Sequence, residues 1–239
     1  MQETGQVAVR CRGLTKTFGI GDARVTALRG VDLDIFQGEL LMLVGPSGSG
    51  KTTLISIIAA ILEPDAGQCS VFGHDLQQMG PIERAHFRGS TIGFVFQSFN
   101  LLPSLTAAEN VSVPLVINGV PHRKAETCAM ETVNLVGLGT RAHSLPAQLS
   151  GGQQQRVAIG RAIVHDPRLI VGDEPTSNLD HATGESIMET LRQMARRPDR
   201  AIIVVTHDPR IYKYADRIAR MEDGKIIEII ADQNKAQLQ

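Results

Sequence analysis

The sequence predicts an α/β fold in which buried strands are covered by helices, with an antiparallel β edge and an inserted helical part. Three observations predict it. First, short apolar runs rich in Val and Ile (Leu40–Val44, Leu169–Val171, Ile202–Val205) recur with helical stretches between them. Continuous runs of that length mark strands covered on both faces. Second, Leu40–Val44 leads into a glycine-rich turn and then a helical pattern over about Thr52–Leu62. Third, Val25–Ile35 alternates, with Val31, Leu33 and Ile35 on one face, the pattern of a half-covered edge strand.

The middle of the chain changes character. From Ser98 to His165, Pro103, Pro114, Pro121 and Pro146 punctuate stretches of helical periodicity such as Lys124–Val136. This predicts a helical signature subdomain over 98–165, inserted into a core made of 1–97 and 166–231 within one domain. The polar end 232–239 is expected to fray.

Bulk properties narrow the function. A length of 239 residues with 42% hydrophobic content supports one large domain. A formal net charge of -1 gives no global field for nucleic acid, so none is expected as a partner. The longest apolar runs fall far short of the roughly 18 residues that suggest a membrane span. Met1–Arg10 holds no apolar signal core, so a cytosolic protein is expected. Cys11, Cys69 and Cys128 are widely spaced and form no CxxC pair, and read as buried or incidental thiols of a reducing compartment.

Three motifs carry chemistry. Gly45-Pro46-Ser47-Gly48-Ser49-Gly50-Lys51-Thr52, followed by Thr53, is a full GxxxxGK[ST] between a predicted strand and a predicted helix. Its glycines let backbone N–H groups converge on a phosphate, and the helix adds its positive end. Lys51 suits the β- and γ-phosphates and the Thr52 hydroxyl suits Mg²⁺. Next, Leu169–Glu174 is a buried strand ending in two acids. Asp173 can hold Mg²⁺ through its water shell, and Glu174 is then placed to polarise an attacking water. Last, Leu149-Ser150-Gly151-Gly152-Gln153 opens another apolar-periodic helix. Its N-terminus, read as bare of side chains, is a second anion site.

With these motifs in order, the chain resembles an ATP-binding-cassette (ABC) transporter ATP-binding subunit over about residues 7–230. The resemblance implies a P-loop NTPase (RecA-like) core and head-to-tail dimers, with each ATP between Gly45–Thr52 of one copy and Ser150–Gly152 of the other, and Gln153 beside them as a nucleotide-binding residue. It also implies roles for further residues. Gln97 is similar to the glutamine that senses Mg²⁺ and water, and His207 to the histidine that contacts the γ-phosphate. Asp180 belongs to a Ser177–Asp180 loop that couples the two sites, and Phe18 stands where an aromatic ring stacks on adenine. Gly160 and Gly172 replace the family's usual Ala and remove no functional group.

Phe94–Pro103 and Asp173–Asp180 are similar to the lipoprotein-release and macrolide-exporter branch (LolD/MacB type). That implies a motor driving a separate membrane permease with few helices and a large extracytoplasmic domain, and a peripheral place on the inner membrane. Export or extraction of a substrate is the expected task. Switching of an extracytoplasmic hydrolase or sensor, and a soluble ATPase acting on nucleic acid or the ribosome, are the alternatives. The apolar stretch Ser98–Leu105 is expected either to fill its own core or to form the permease's groove through Leu102 and Leu105.

Overall fold

A computed structural model describes residues 5–231. The end 232–239, expected to fray, lies outside the described residues. Two sheets organise the chain. One is antiparallel, in the order β2-β1-β4-β5, from β1 (Val7–Phe18), β2 (Val25–Phe36), β4 (Ala66–Val71) and β5 (His74–Asp75). The edge strand read over Val25–Ile35 is β2, at the margin of this sheet.

The other sheet takes β3 (Leu40–Val44), β6 (Ile92–Val95), β7 (Leu169–Asp173), β8 (Ala201–Val205), β9 (Arg217–Glu222) and β10 (Lys225–Ala231). Its order is β10-β9-β3-β8-β7-β6. Pairings from β9 to β6 are parallel, and β10 adds antiparallel to β9. Strands β3, β7 and β8 are buried at every residue, which is why they read as unbroken apolar runs.

The period-two pleat of these strands splits the interior into two cores. Leu41, Leu43, Val171 and Ile203 point toward the antiparallel sheet and α1 (Lys51–Ile58). Leu40, Met42, Ile170 and Ile202 point the other way, to a core shared with α3 (Ala107–Ile117), α4 (His122–Leu135), α5 (Gly151–Ile163) and α6 (His181–Ala195). Helix α2 (Pro81–Thr91) leads into β6. Helices α3, α4 and α5 pack on one another. Thr106 and Glu109 start α3 with a reciprocal capping box.

The helix expected over Thr52–Leu62 is shorter. The N–H groups of Ile61 and Leu62 both turn back to the Ser56 carbonyl, and Ala60 takes a φ of 57°. The apolar run continues past this turn, so periodicity alone overshoots the end.

Candidate functional site

Strand β3 delivers the chain to Gly45, and the loop wraps back before α1 begins at Lys51. Two glycines are fixed by close approach. A Cβ at Gly45 (φ +146°) would lie 2.0 Å from the Met221 carbonyl oxygen, and one at Gly50 (φ +99°) 2.3 Å from that of Ala27. Gly50 is also the N-cap of α1 and supplies no side-chain hydrogen bond. The first N–H groups of α1 therefore meet no competing cap and remain available to an anion.

Lys51 is nearly buried. Its ammonium donates to the carbonyls of Gly45 (2.9 Å) and Pro46 (2.7 Å) and to Ser49 Oγ (3.3 Å). Burial pulls its pKa down, against the pull of Glu174 and Asp173 upward. Beside it, the Thr52 hydroxyl donates to Asp173 Oδ2 at 3.1 Å. Asp173 is buried at the end of β7, and that burial pushes its carboxyl up while the Thr52 bond holds it back. A hydroxyl and a desolvated carboxylate side by side are the hard oxygen donors that suit Mg²⁺, which takes few protein ligands and keeps much of its water.

Glu174 follows with a φ of 49°. A non-glycine residue held there stores of order 1–3 kcal/mol. Its N–H donates to the Val205 carbonyl at 3.0 Å, which locks the turn to the end of β8. His207, two residues beyond that strand, places Nδ1 2.8 Å from Glu174 Oε1. Gln97, two residues beyond β6, opens on the same space. Phe18 and Ala27 also face it. The Phe18 ring is 44% exposed, with Lys16 Nζ 5.8 Å from its centroid.

The result is one cavity of about 360 Å³, within the usual range of small-molecule sites. Its wall unites Phe18, Gly45, Ser47, Gly48, Gly50, Lys51, Thr52, Thr53, Gln97, Asp173, Glu174 and His207. Pro46 and Ser49 stand behind the wall as acceptors for Lys51. Ala27 and Val205 also line it and were missed by sequence reasoning. Each is an ordinary strand residue whose position depends on long-range pairing, so the sequence carries no local signal for it.

Ser150, Gly151, Gly152, Gln153 and Asp180 do not line this cavity. Ser150 caps α5 in a capping box: its Oγ accepts from the Gln153 N–H at 3.3 Å, and Gln153 Oε1 accepts from the Ser150 N–H at 2.9 Å. The expectation of an N-terminus bare of side chains is corrected here, because Ser150 and Gln153 satisfy each other's backbone. Gly151 and Gly152 still occupy the first helical positions. A Cβ on Gly152 would sit 3.6 Å from the Asn178 carbonyl, so the start of α5 packs on the Ser177–Asp180 turn. Asp180 itself caps α6, accepting from Thr183 N–H at 3.0 Å, and hydrogen bonding from Thr183 holds its carboxyl low.

The loop after Gln97 is knit through its backbone. Arg161 donates to the carbonyls of Phe99 and Asn100, and the Asn110 amide bonds Leu102 at both N–H and C=O. Leu101 packs on the second core, whereas Leu102 is 44% exposed. An apolar groove of about 450 Å³ lies nearby, walled by Ile61, Phe94, Phe96, Pro114 and Ile117. Neither Leu102 nor Leu105 lines it. Strand β6, the C-terminal half of α3 and the ends of α2 and α5 build it.

Comparison with known proteins now bears on this geometry. The family model for ABC transporters matches residues 28–177. The chain belongs to the ABC transporter ATP-binding family. An uncharacterized ABC transporter ATP-binding protein of Thermotoga maritima is 46% identical over 211 residues, covering 88% of this chain and 90% of that protein. The lipoprotein-releasing system ATP-binding protein LolD of Geobacter metallireducens is 43% identical over 214 residues, covering 90% and 95%. Among solved structures, a dimeric post-hydrolysis state of the ATP-binding cassette MJ0796, bound to ADP and Pi, superposes with a TM-score of 0.89. It is 37% identical and covers 93% of this chain and 98% of that one. The cassette is an ATPase. Among the described residues no helix is long and apolar enough to cross a membrane.

Proposed function

We propose that this ABC ATPase is the motor subunit of an export or lipoprotein-extraction system, working as a head-to-tail dimer on Mg-ATP and driving a separate membrane permease. The observation that carries this is the division of the phosphate-binding features. The cavity holds the bare start of α1, Lys51 and the Asp173–Glu174–His207 cluster, while the start of α5 stands outside it. One nucleotide reaches both helix starts only when a second copy supplies Ser150–Gln153. The dimeric structures of MJ0796 support the same reading.

In this reading the loop Gly45–Thr52 cradles the phosphates and Lys51 swings from its own carbonyls to the γ-phosphate. Thr52, Asp173 and Gln97 would hold Mg²⁺, which would supply charge neutralisation for the phosphates. Glu174 orients the attacking water and takes its proton, and His207, already at Glu174, moves onto the γ-phosphate side. Phe18 stacks on adenine, worth about 1–3 kcal/mol by analogy with base–aromatic stacking. Asp180, fixed by its cap on α6, presents the Ser177–Asp180 turn to the partner copy. Loss of the γ-phosphate removes the charge that both helix starts share, and the dimer opens.

The permease docks in the groove of Phe94 and Phe96, which holds the chain to the cytoplasmic face of the membrane. The LolD relatives favour lipoprotein release as the task. Affinity capture of Glu174→Gln, trapped with Mg-ATP in detergent-solubilised membranes, tests this. A stoichiometric few-helix membrane protein with a large extracytoplasmic domain is the expected companion. Ribosomal proteins or nucleic acid in its place would overturn the permease reading.

A further inference from the structure

Cys11 and Cys69 stand 58 residues apart in the chain, yet they are register partners across the β1–β4 ladder with their Sγ atoms 3.9 Å apart. Both are fully buried, whereas Cys128 on α4 is only partly covered. Neither buried thiol lines the nucleotide cavity, and catalysis uses neither. We propose that Cys11 and Cys69 form a site of reversible oxidation, closing to a disulfide that staples β1 to β4.

The geometry needs little rearrangement. Partners in an antiparallel pair hold their Cβ atoms about 4.5–5.5 Å apart, close to the ~3.5–4.5 Å that a disulfide takes. Side-chain rotation then brings sulfurs already in contact to bonding distance. The backbone register is fixed on both sides, by Val9 against Val71 and Arg12 against Gln68.

Burial decides the oxidant. The hydrogen bond with Cys69, with desolvation behind it, pushes the Cys11 thiol well up, so the thiolate is scarce and a bulky reagent has no access. A peroxide, little larger than water, is the oxidant class that can reach the pair, and it reacts slowly, through the small thiolate fraction. One thiolate attacks the O–O bond of hydrogen peroxide, giving a sulfenic acid and hydroxide. The second thiol then displaces water from the sulfenic acid and forms the S–S bond. Two thiols lose two electrons, one peroxide is reduced, and two waters leave.

The staple acts on the sheet that carries Phe18. Strand β1 carries both Cys11 and Phe18, and Asp65, just before β4, already binds β1 through Lys16 Nζ and the Thr17 N–H. Oxidation therefore stiffens the base-facing sheet and leaves the phosphate end of the cavity open.

The test treats the native full-length chain with hydrogen peroxide, alkylates it in denaturant and maps the peptides by mass spectrometry. The expected result is a joined Cys11–Cys69 peptide that has lost two hydrogens and is released by dithiothreitol. Cys128→Ser should leave it unchanged and Cys11→Ser should abolish it. In native protein a bulky aromatic disulfide reagent should titrate Cys128 alone. Closing so long a loop should also raise Tm by about 5 °C or more, with ATP turnover kept within about twofold. Cys11 and Cys69 still fully alkylated when Cys128 is oxidised, or a joined peptide containing Cys128, would overturn the proposal. Failure of the unoxidised protein to hydrolyse ATP would instead count against the proposed motor.

Discussion

Two helix starts in this molecule look alike in sequence and differ in structure. Both lie beside glycines and a serine: Gly48 and Gly50 precede α1, whereas Gly151 and Gly152 open α5 behind Ser150. The start of α1 has a left-handed Gly50 as its N-cap and no side-chain bond, and it opens on the cavity with Lys51 folded into its own loop. The start of α5 is sealed by the Ser150–Gln153 capping box and packs on the Ser177–Asp180 turn. An uncapped start can give several N–H groups to an outside phosphate, whereas a capped start retains fewer. In the proposed function this difference makes α1 the primary phosphate site of each chain and α5 a contributor to the site of a second copy.

Changing the chemistry at the first site should have the largest effect. Glu174→Gln should lower kcat by roughly 10²–10⁴, the range for loss of a general base, while ATP binding persists; steady-state phosphate release against nucleotide binding reads the split. Lys51→Ala should come next. Removing a charge-assisted contact worth about 1.5–3 kcal/mol predicts an increase of roughly 10- to 150-fold in the Kd for ATP, measured by equilibrium binding.

The same kind of change at α5 should act more gently on the isolated chain. Ser150→Ala removes one cap hydrogen bond and should cost about 1 kcal/mol of stability, read from the denaturation midpoint, with monomer affinity for ATP intact. A Ser150 variant that loses ATP binding as a monomer would erase the contrast between the two starts.

The smallest effect sharpens the electrostatics. Burial raises the Asp173 carboxyl, so folding disfavours its ionised form. The penalty is absent below the unfolded pKa of ~3.9 and full above the raised folded value. Asp173→Asn should therefore raise the Tm of nucleotide-free protein by a few degrees at neutral pH, and the gain should vanish as pH falls through that window. A Tm difference that does not change with pH would remove desolvation as the cause.

Much of this was legible in the sequence because its chemistry is local. Gly45–Thr52, Asp173–Glu174 and Ser150–Gln153 each sit on one turn beside one strand or helix, so short spacing carries them. Gln97 and His207 became legible only through family resemblance, since a lone Gln or His has no signature. Ala27, Val205 and the Cys11–Cys69 contact depend on which strands pair, and period-two patterning is silent on partner choice. The end of α1 at Ile58 was hidden because Ile61 and Leu62 continue the apolar run after the backbone has turned. The apolar groove with Phe94 and Phe96 had no local signal either, because its wall joins residues of β6, α3 and α5 that only the fold brings together.

The central claim is that α5 completes a nucleotide site in another copy and not in its own chain. Sedimentation of Glu174→Gln and of Glu174→Gln/Ser150→Arg with Mg-ATP, alongside ATP binding at protein concentrations too low to dimerise, tests it most directly. The account predicts ATP binding within about threefold in both proteins, a dimer for the first and a monomer for the second. ATP-dependent dimers of both, or loss of ATP binding by the second as a monomer, would contradict it.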